Sequence, residues 1–170
     1  DALAPSLLDP QPFEGSLWYV GRDGTAGDPA AAATRVRRSP PGETVLEGLG
    51  LTDPAPVRYR GELLVFATEA REQLVLYAGE PLAIVARWPG VTVPSPIVVG
   101  DELWLVAQTP AGGSRLPVPV LARSQDGRTF TSFEPLLRRG LVRVCTSPVL
   151  LPVSADASWV LLCVEEAPPS

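Results

Sequence analysis

Short apolar runs alternate along this chain with turn signals made of Gly, Pro and Asp. The clearest series lies in the second quarter, where the runs predict four strands at 55–59, 63–68, 73–78 and 82–87. Helical signals are confined to the alanine run at 30–33 and the stretch 69–77; both are short, and 73–77 alternates with the period of a strand. The pattern therefore predicts an all-β protein.

The pattern also repeats. A segment such as Asp9-Pro10-Gln11-Pro12 is followed by a polar turn and an apolar run, Leu17-Trp18-Tyr19-Val20, and this arrangement returns three more times. The second proline of each copy serves as the reference point: Pro12, Pro56, Pro96 and Pro148 are separated by 44, 40 and 52 residues. Such a period is typical of propellers and other repeat folds. Because the second copy carries four strands, one copy corresponds to one propeller blade.

The other copies predict their strands in the same way. We expect strands at 11–13, 17–20, about 34–38 and 44–47 in the first copy, 96–99, 103–108, 118–124 and about 129–134 in the third, and 149–153 and 159–164 in the fourth. The Asp126-Gly127 pair in the third copy favours a tight two-residue hairpin. The sequence thus predicts one β-propeller-like domain over 1–170, a partial or small propeller of about three and a half blades, with repeats at approximately 1–50, 51–90, 91–141 and 142–170.

Composition removes several classes of function. A net charge of −5, with no lysine and with scattered arginines, offers no basic face to nucleic acid. The absence of histidine removes Ser-His and Cys-His nucleophile systems and most zinc sites, so any catalysis would depend on carboxylates, and we expect no cofactor or metal. No apolar run approaches the roughly 20 residues of a membrane span.

Two cysteines, Cys145 and Cys163, lie in apolar stretches. They are either buried free thiols or a disulfide between neighbouring strands, and the disulfide would imply an oxidising compartment. The chain begins at Asp1 and contains no Met, so we expect a processed or excised piece of a longer product.

The blade pattern, together with Leu-Ala-Arg-Ser-Gln-Asp-Gly-Arg-Thr-Phe at 121–130, resembles the five-bladed β-propeller glycoside hydrolase superfamily of arabinanases, xylosidases and invertases. The resemblance covers most of the chain. It implies an extracellular or periplasmic protein with a funnel at the propeller axis, lined by the beginnings of the innermost strands and carrying carboxylates from different blades. The segment 124–130 is also similar to the Asp-box of sialidase propellers, one residue short, and we interpret it as a structural hairpin.

The resemblance implies roles for three acidic residues. It assigns the base or nucleophile to Asp9 and a carboxylate that contacts substrate or tunes the acid to Asp53. The expected glutamate has no counterpart, because the third and fourth copies present Val93 and Cys145 at this position. Glu165 is the candidate proton donor, since it follows an apolar strand whose burial would raise its pKa. The alternative is that Asp9 and Asp53 cap turns and that Glu165 is solvated.

Other residues are candidates for ligand binding. Trp18, Tyr19 and Trp104 could stack on sugar rings, or could instead form the core between blades. Asp23 and Glu69 follow second strands, whose ends return to the funnel face, and could reach a ligand there or remain solvated loop carboxylates.

Two functions follow from these observations. The missing acid favours a non-catalytic propeller module that binds carbohydrate or another partner. The alternative is a glycoside hydrolase, or a fragment of one, acting on plant-type or fructose-containing polysaccharide with Asp9 as base or nucleophile. Because an open propeller leaves unpaired strand edges, we also expect self-association or a second chain that completes the ring.

Overall fold

The computed structural model describes residues 8–22, 33–40, 42–110, 117–136, 146–152 and 159–164. All the regular secondary structure within these ranges is β-strand. The strands are β1 Leu8–Phe13, β2 Ser16–Arg22, β3 Ala33–Ser39, β4 Glu43–Leu49, β5 Thr52–Tyr59, β6 Glu62–Glu69, β7 Gln73–Ala78, β8 Ala83–Pro89, β9 Thr92–Val99, β10 Glu102–Pro110, β11 Pro117–Ser124, β12 Glu134–Pro135, β13 Thr146–Pro152 and β14 Trp159–Val164. None of the described residues forms a helix long and apolar enough to cross a membrane.

These strands form consecutive sheets, in the orders β1-β2-β3-β4, β5-β6-β7-β8, β9-β10-β11-β12 and β13-β14. Within each sheet, strands that pair with each other are also consecutive in the chain, as in the blade of a propeller. The prediction of an all-β, propeller-like chain with three four-stranded blades and one two-stranded sheet is confirmed. In the second copy the strands begin and end within three residues of their predicted positions.

The predicted tight hairpin at Asp126-Gly127 is wrong. β11 ends at Ser124 and β12 begins only at Glu134, so a long loop joins them and the last strand is two residues long. The carboxylate of Asp126 explains the difference, because its Oδ1 accepts the backbone N–H groups of Arg128 at 2.8 Å and Thr129 at 2.7 Å. Those donors are satisfied by a side chain and need no ladder partner.

The fourth copy is also out of register with its prediction. Asp9, Asp53, Val93 and Ser147 share a positive φ of 50–51° immediately before a proline. In the first, second and fourth copies this residue sits in a bulge between the two inner strands. Ser147, and not Cys145, is therefore the counterpart of Asp9. Pro148 matches the first proline of the other copies, whereas the prediction had aligned it with the second.

The chain divides into two compact units, 1–94 and 95–170. In the first unit the sheet β1–β4 packs on the sheet β5–β8, because β2, β6 and β7 each contribute alternate apolar residues to a shared core. The buried residues of this core are Trp18, Val20, Val36, Leu46, Leu51, Val65, Ala67, Val75 and Tyr77. Trp18 also contacts Phe13 edge to face, with ring centroids 6.3 Å apart.

Candidate functional site

A pocket of about 320 Å³ opens in the first unit where the inner strands begin. It is lined by Asp9, Thr52, Asp53, Thr68, Arg71, Thr92 and Val93. Asp9 comes from β1, Asp53 from β5, and both carboxylates reach the pocket from the bulges described above. The structure thus brings together two of the residues to which the resemblance gave roles.

Hydrogen bonds tie the strand beginnings to one another around this pocket. The backbone N–H of Asp53 donates to Oδ2 of Asp9 at 3.3 Å, and the N–H of Val93 donates to Oγ1 of Thr68 at 2.9 Å. The hydroxyl of Thr52 donates to Oδ2 of Asp53 at 2.9 Å. The first two bonds cross between consecutive blades and the third lies within β5, and together they hold polar groups of the pocket in position before any ligand arrives.

The carboxyl of Asp53 has a perturbed affinity for its proton. Burial raises its pKa above the usual 3.8, and the nearby charge of Asp9 raises it further. Hydrogen bonds from Thr52 and Thr68 and the charge of Arg71 act in the opposite direction without cancelling the shift. The Asp53 carboxyl therefore holds its proton more readily than an aspartic acid in water does.

Sequence reasoning missed Arg71, which lines the pocket from the turn between β6 and β7. In this turn Ala70 and Arg71 both have positive φ, 52° and 61°, and the N–H of Glu72 donates to the carbonyl of Glu69 at 3.1 Å. Gly or Asn usually occupies such positions, so Glu-Ala-Arg-Glu gives no sign of the turn. A further bond, from the N–H of Ala70 to the carbonyl of Gly50 at 3.1 Å, anchors the turn to the β4–β5 connection.

Glu69 does not line the pocket, although its position at the end of β6 had suggested this. Its Oε2 accepts a hydrogen bond from Nε2 of Gln73 at 2.6 Å and pairs with Nε of Arg87 at 3.4 Å, on the outer strands β7 and β8. Thr68, the preceding residue of β6, lines the pocket instead of Glu69. Because side chains alternate along a strand, a shift of one residue exchanges the two faces.

The candidate aromatic residues lie outside the pocket lining. Trp18 is 1% exposed in the core between the two sheets of the first unit, which leaves no ring face for a sugar. Tyr19, next along β2, is partly buried. Trp104 in the second unit is also partly buried; its Nε1 donates to Glu102 at 3.1 Å, and the guanidinium of Arg123 lies 4.3 Å from the ring centroid.

Several predicted residues fall outside what the structure describes. Asp23, Glu165 and Cys145 lie outside the described residues, and nothing is described of the side chain of Cys163. Within the described ranges, no cluster of three or more His, Cys, Asp or Glu side chains is arranged to hold a metal ion.

Comparison with known proteins gives structural matches but no sequence matches. No protein-family model and no curated protein matches this sequence. Among solved structures, the α-L-arabinanase of Cellvibrio cellulosa, complexed with arabinohexaose, matches with a TM-score of 0.60 and 14% identity over 91% of this chain and 67% of its own. The Bacteroides ovatus xyloglucan PUL protein GH43B matches with a TM-score of 0.55 and 16% identity over 94% of this chain and 36% of its own.

A third match, the exo-β-1,3-galactanase of Phanerochaete chrysosporium with β-1,3-galactotriose, has a TM-score of 0.53 and 11% identity over 81% of this chain and 36% of its own. This chain has the propeller fold of glycoside hydrolases. The resemblance drawn from the blade pattern is thereby confirmed at the level of fold. The chain spans only about a third of the length of two of these proteins and about two thirds of the arabinanase.

Proposed function

We propose that this chain is a non-catalytic propeller module that binds carbohydrate in the pocket of Asp9 and Asp53. The observation that carries the proposal is the convergence of these two carboxylates from neighbouring inner strands into one pocket. Carboxylate oxygens accept strong hydrogen bonds from sugar hydroxyls, and the threonine hydroxyls beside them can both donate and accept. The arabinanase and the galactanase that share the fold were solved with oligosaccharides, which supports the same class of ligand.

The composition of the pocket argues against hydrolysis. Ordinary glycoside hydrolysis needs an acid on one side of the bond and an ionised carboxylate on the other, about 5–10 Å apart. Here the two acids come from neighbouring strand beginnings, the backbone N–H of Asp53 donates to the carboxylate of Asp9, and no glutamate is among the described residues of the pocket lining. A binding role also suits an extracellular or periplasmic location, because polysaccharides are present there.

One observation favours the alternative, a glycoside hydrolase with Asp9 as base or nucleophile. Burial raises the pKa of Asp53, beside Asp9, and a raised pKa brings a carboxyl closer to what a general acid needs. The two functions therefore share one pocket and differ in whether it turns over its ligand.

Binding is tested with arabino-, xylo-, galacto- and fructo-oligosaccharides by ligand-observed NMR and calorimetry. We expect at least one series to bind, and Asp9→Asn and Asp53→Asn each to weaken that binding about tenfold or more, since a hydrogen bond to a charged group contributes roughly 1.5–3 kcal/mol. Glu62→Gln, a carboxylate at the start of β6 outside the pocket lining, is the matched control and should leave binding unchanged.

Hydrolysis is tested in parallel with aryl arabinosides, xylosides and fructosides. The proposal predicts no release of the aryl group above a blank. Turnover that disappears in Asp9→Asn would replace the binding module with the hydrolase. If no sugar binds and none is hydrolysed, both functions fail.

A further inference from the structure

Arg71 differs from the neighbouring arginines of the first unit. Arg35, Arg38, Arg58 and Arg87 each pair with a glutamate. Arg71 is exposed, lines the pocket together with two carboxylates, and makes no hydrogen bond or ion pair with any described residue. Its charge is felt by the carboxyl of Asp53 without a direct contact. The guanidinium therefore brings donors that no described residue occupies to the rim of a pocket that already contains acceptors.

The backbone that carries Arg71 is strained. Two successive residues other than glycine, Ala70 and Arg71, adopt a left-handed conformation that L-amino acids avoid. Hydrogen bonds of Ala70 to Gly50 and of Glu72 to Glu69 hold the turn in this form. Strain of this kind persists where the surrounding structure imposes it, and it is concentrated at ligand-binding positions.

We propose that Arg71 makes the pocket selective for acidic sugars: its guanidinium binds the carboxylate of a uronic acid residue while Asp9 and Asp53 accept hydrogen bonds from the hydroxyls of the same or the adjoining sugar. This inference rests on the proposed carbohydrate-binding function and names its ligand class.

The chemistry of the three groups fits this ligand better than a neutral sugar. A guanidinium is planar and presents parallel N–H donors that match both oxygens of a carboxylate. A neutral sugar would donate its hydroxyl groups to Asp9 and Asp53 and would offer no carboxylate to the paired N–H donors of Arg71. The pocket, at about 320 Å³, lies at the small end of ligand sites, so one sugar residue is expected to contact both kinds of group.

The test uses pairs of ligands that differ only at C6: methyl glucuronide against the methyl glucoside of the same anomer, and oligogalacturonate against an α-1,4-linked oligogalactose of the same length. We expect the acidic member of at least one pair to bind about tenfold more tightly, the lower end for a charge-assisted contact. Raising the salt concentration from about 0.01 M to 1 M should reduce this preference, because the contact is exposed.

Variants of Arg71 separate this inference from the function on which it rests. Arg71→Gln should remove the preference, so that the acidic and the neutral member of a pair bind with equal affinity, while Arg71→Lys should keep part of the preference. Arg60→Gln is the matched control, an exposed arginine with φ of 51° in the β5–β6 turn of the same sheet. Circular dichroism and thermal melting establish that each variant is folded.

Equal affinity for both members of each pair, with no effect of Arg71→Gln, would overturn the acidic-sugar inference while the carbohydrate site stands. The inference is also wrong if the preference survives in Arg71→Gln, since another group would then bind the carboxylate. Absence of binding to every neutral and acidic sugar would remove the proposed function itself.

Discussion

At the scale of single residues, the four positions that begin the inner strands show how one backbone geometry carries different chemistry. Asp9, Asp53, Val93 and Ser147 have the same positive φ before a proline, so the bulge belongs to the fold. Only the first two bring a carboxylate to it, and in the first unit these two meet in the pocket. Substitution at such a position changes the side chain that the bulge presents without requiring a new backbone.

Asp53 should limit the stability of the protein at neutral pH. Its pKa is raised in the folded state, mainly by burial, so the folded state holds the proton more tightly than the unfolded state does. The contribution to stability is present below the unfolded pKa of about 3.9 and is lost as the pH rises through the folded pKa. We therefore expect Asp53→Asn, measured by urea unfolding, to gain stability relative to the native protein as the pH rises from 3 to 7.

The control for this change is Glu62→Gln, which removes a carboxylate outside the pocket lining and should show no such gain. A constant difference between Asp53→Asn and the native protein across this range would contradict the inferred proton affinity.

At the scale of elements, the loop between β11 and β12 shows a side chain accepting backbone hydrogen bonds that a neighbouring strand would otherwise accept. Asp126 Oδ1 accepts from the backbone of Arg128 and Thr129, and the hydroxyl of Thr129 donates to its Oδ2 at 2.7 Å. Ser124 completes the motif, accepting the N–H of Gly127 at 2.9 Å. The loop is therefore an ordered element with its own hydrogen-bond network, even though it contains no strand.

We expect Asp126→Ala to lower the free energy of unfolding by about 1 kcal/mol at pH 7, the usual effect of removing a side chain that caps backbone N–H groups. These bonds, first of all those from Arg128 and Thr129, hold the pKa of Asp126 far below its usual range. Because the folded pKa is depressed, the stabilisation is present above the unfolded pKa of about 3.9 and is lost as the pH falls below it.

The measurement is urea unfolding at pH 7 and at pH 2–3, with Asp101→Ala in the β9–β10 turn as the matched control. The difference between native protein and Asp126→Ala should shrink at the lower pH. If it is the same at both, the carboxylate is not the source of the effect.

At the scale of the whole molecule, the sheet β13–β14 leaves an apolar face exposed. The cross-strand pairs Val149–Leu162 and Leu151–Val160 lie on this face, with 40–49% of each residue exposed. Within the described residues β14 pairs only with β13, whereas the second strand of every other sheet has a third strand beside it. By its place after the bulge, Leu162 corresponds to Trp18, which packs in the core of the first unit.

We therefore predict that a second copy of the chain packs on this face, with a symmetric interface of more than about 1,000 Å². Leu162→Glu should give a monomer at tens of micromolar in light scattering, because a charge cannot be buried there without a partner. Val98→Glu, at a residue of β9 that is 43% exposed, is the matched control and should leave association unchanged. A monodisperse native monomer would rule out self-association through this face.

The resemblance implied that Asp9 and Asp53 face one funnel. The sequence by itself predicted most of the strands, though not the last one of the third copy, and their grouping into blades. These features depend on local periods: alternation places strands, turn residues end them, and residues at matching places in successive repeats come to matching places in the fold. The same reasoning misplaced the fourth copy by two residues. The bulge that sets the register of this copy is visible only in the pairing of β13 with β14, which the sequence does not give.

Only the tertiary structure decided which side chains complete the pocket. Thr68 and not its neighbour Glu69 lines it, because the pairing of β6 with β5 and β7 fixes which face each residue takes. Arg71 lies there because the β6–β7 turn is held left-handed by a bond to Gly50, a contact between residues far apart in the chain. Local sequence patterns carry no information on such contacts, and they are the ones that place the charge of Arg71 beside the two carboxylates.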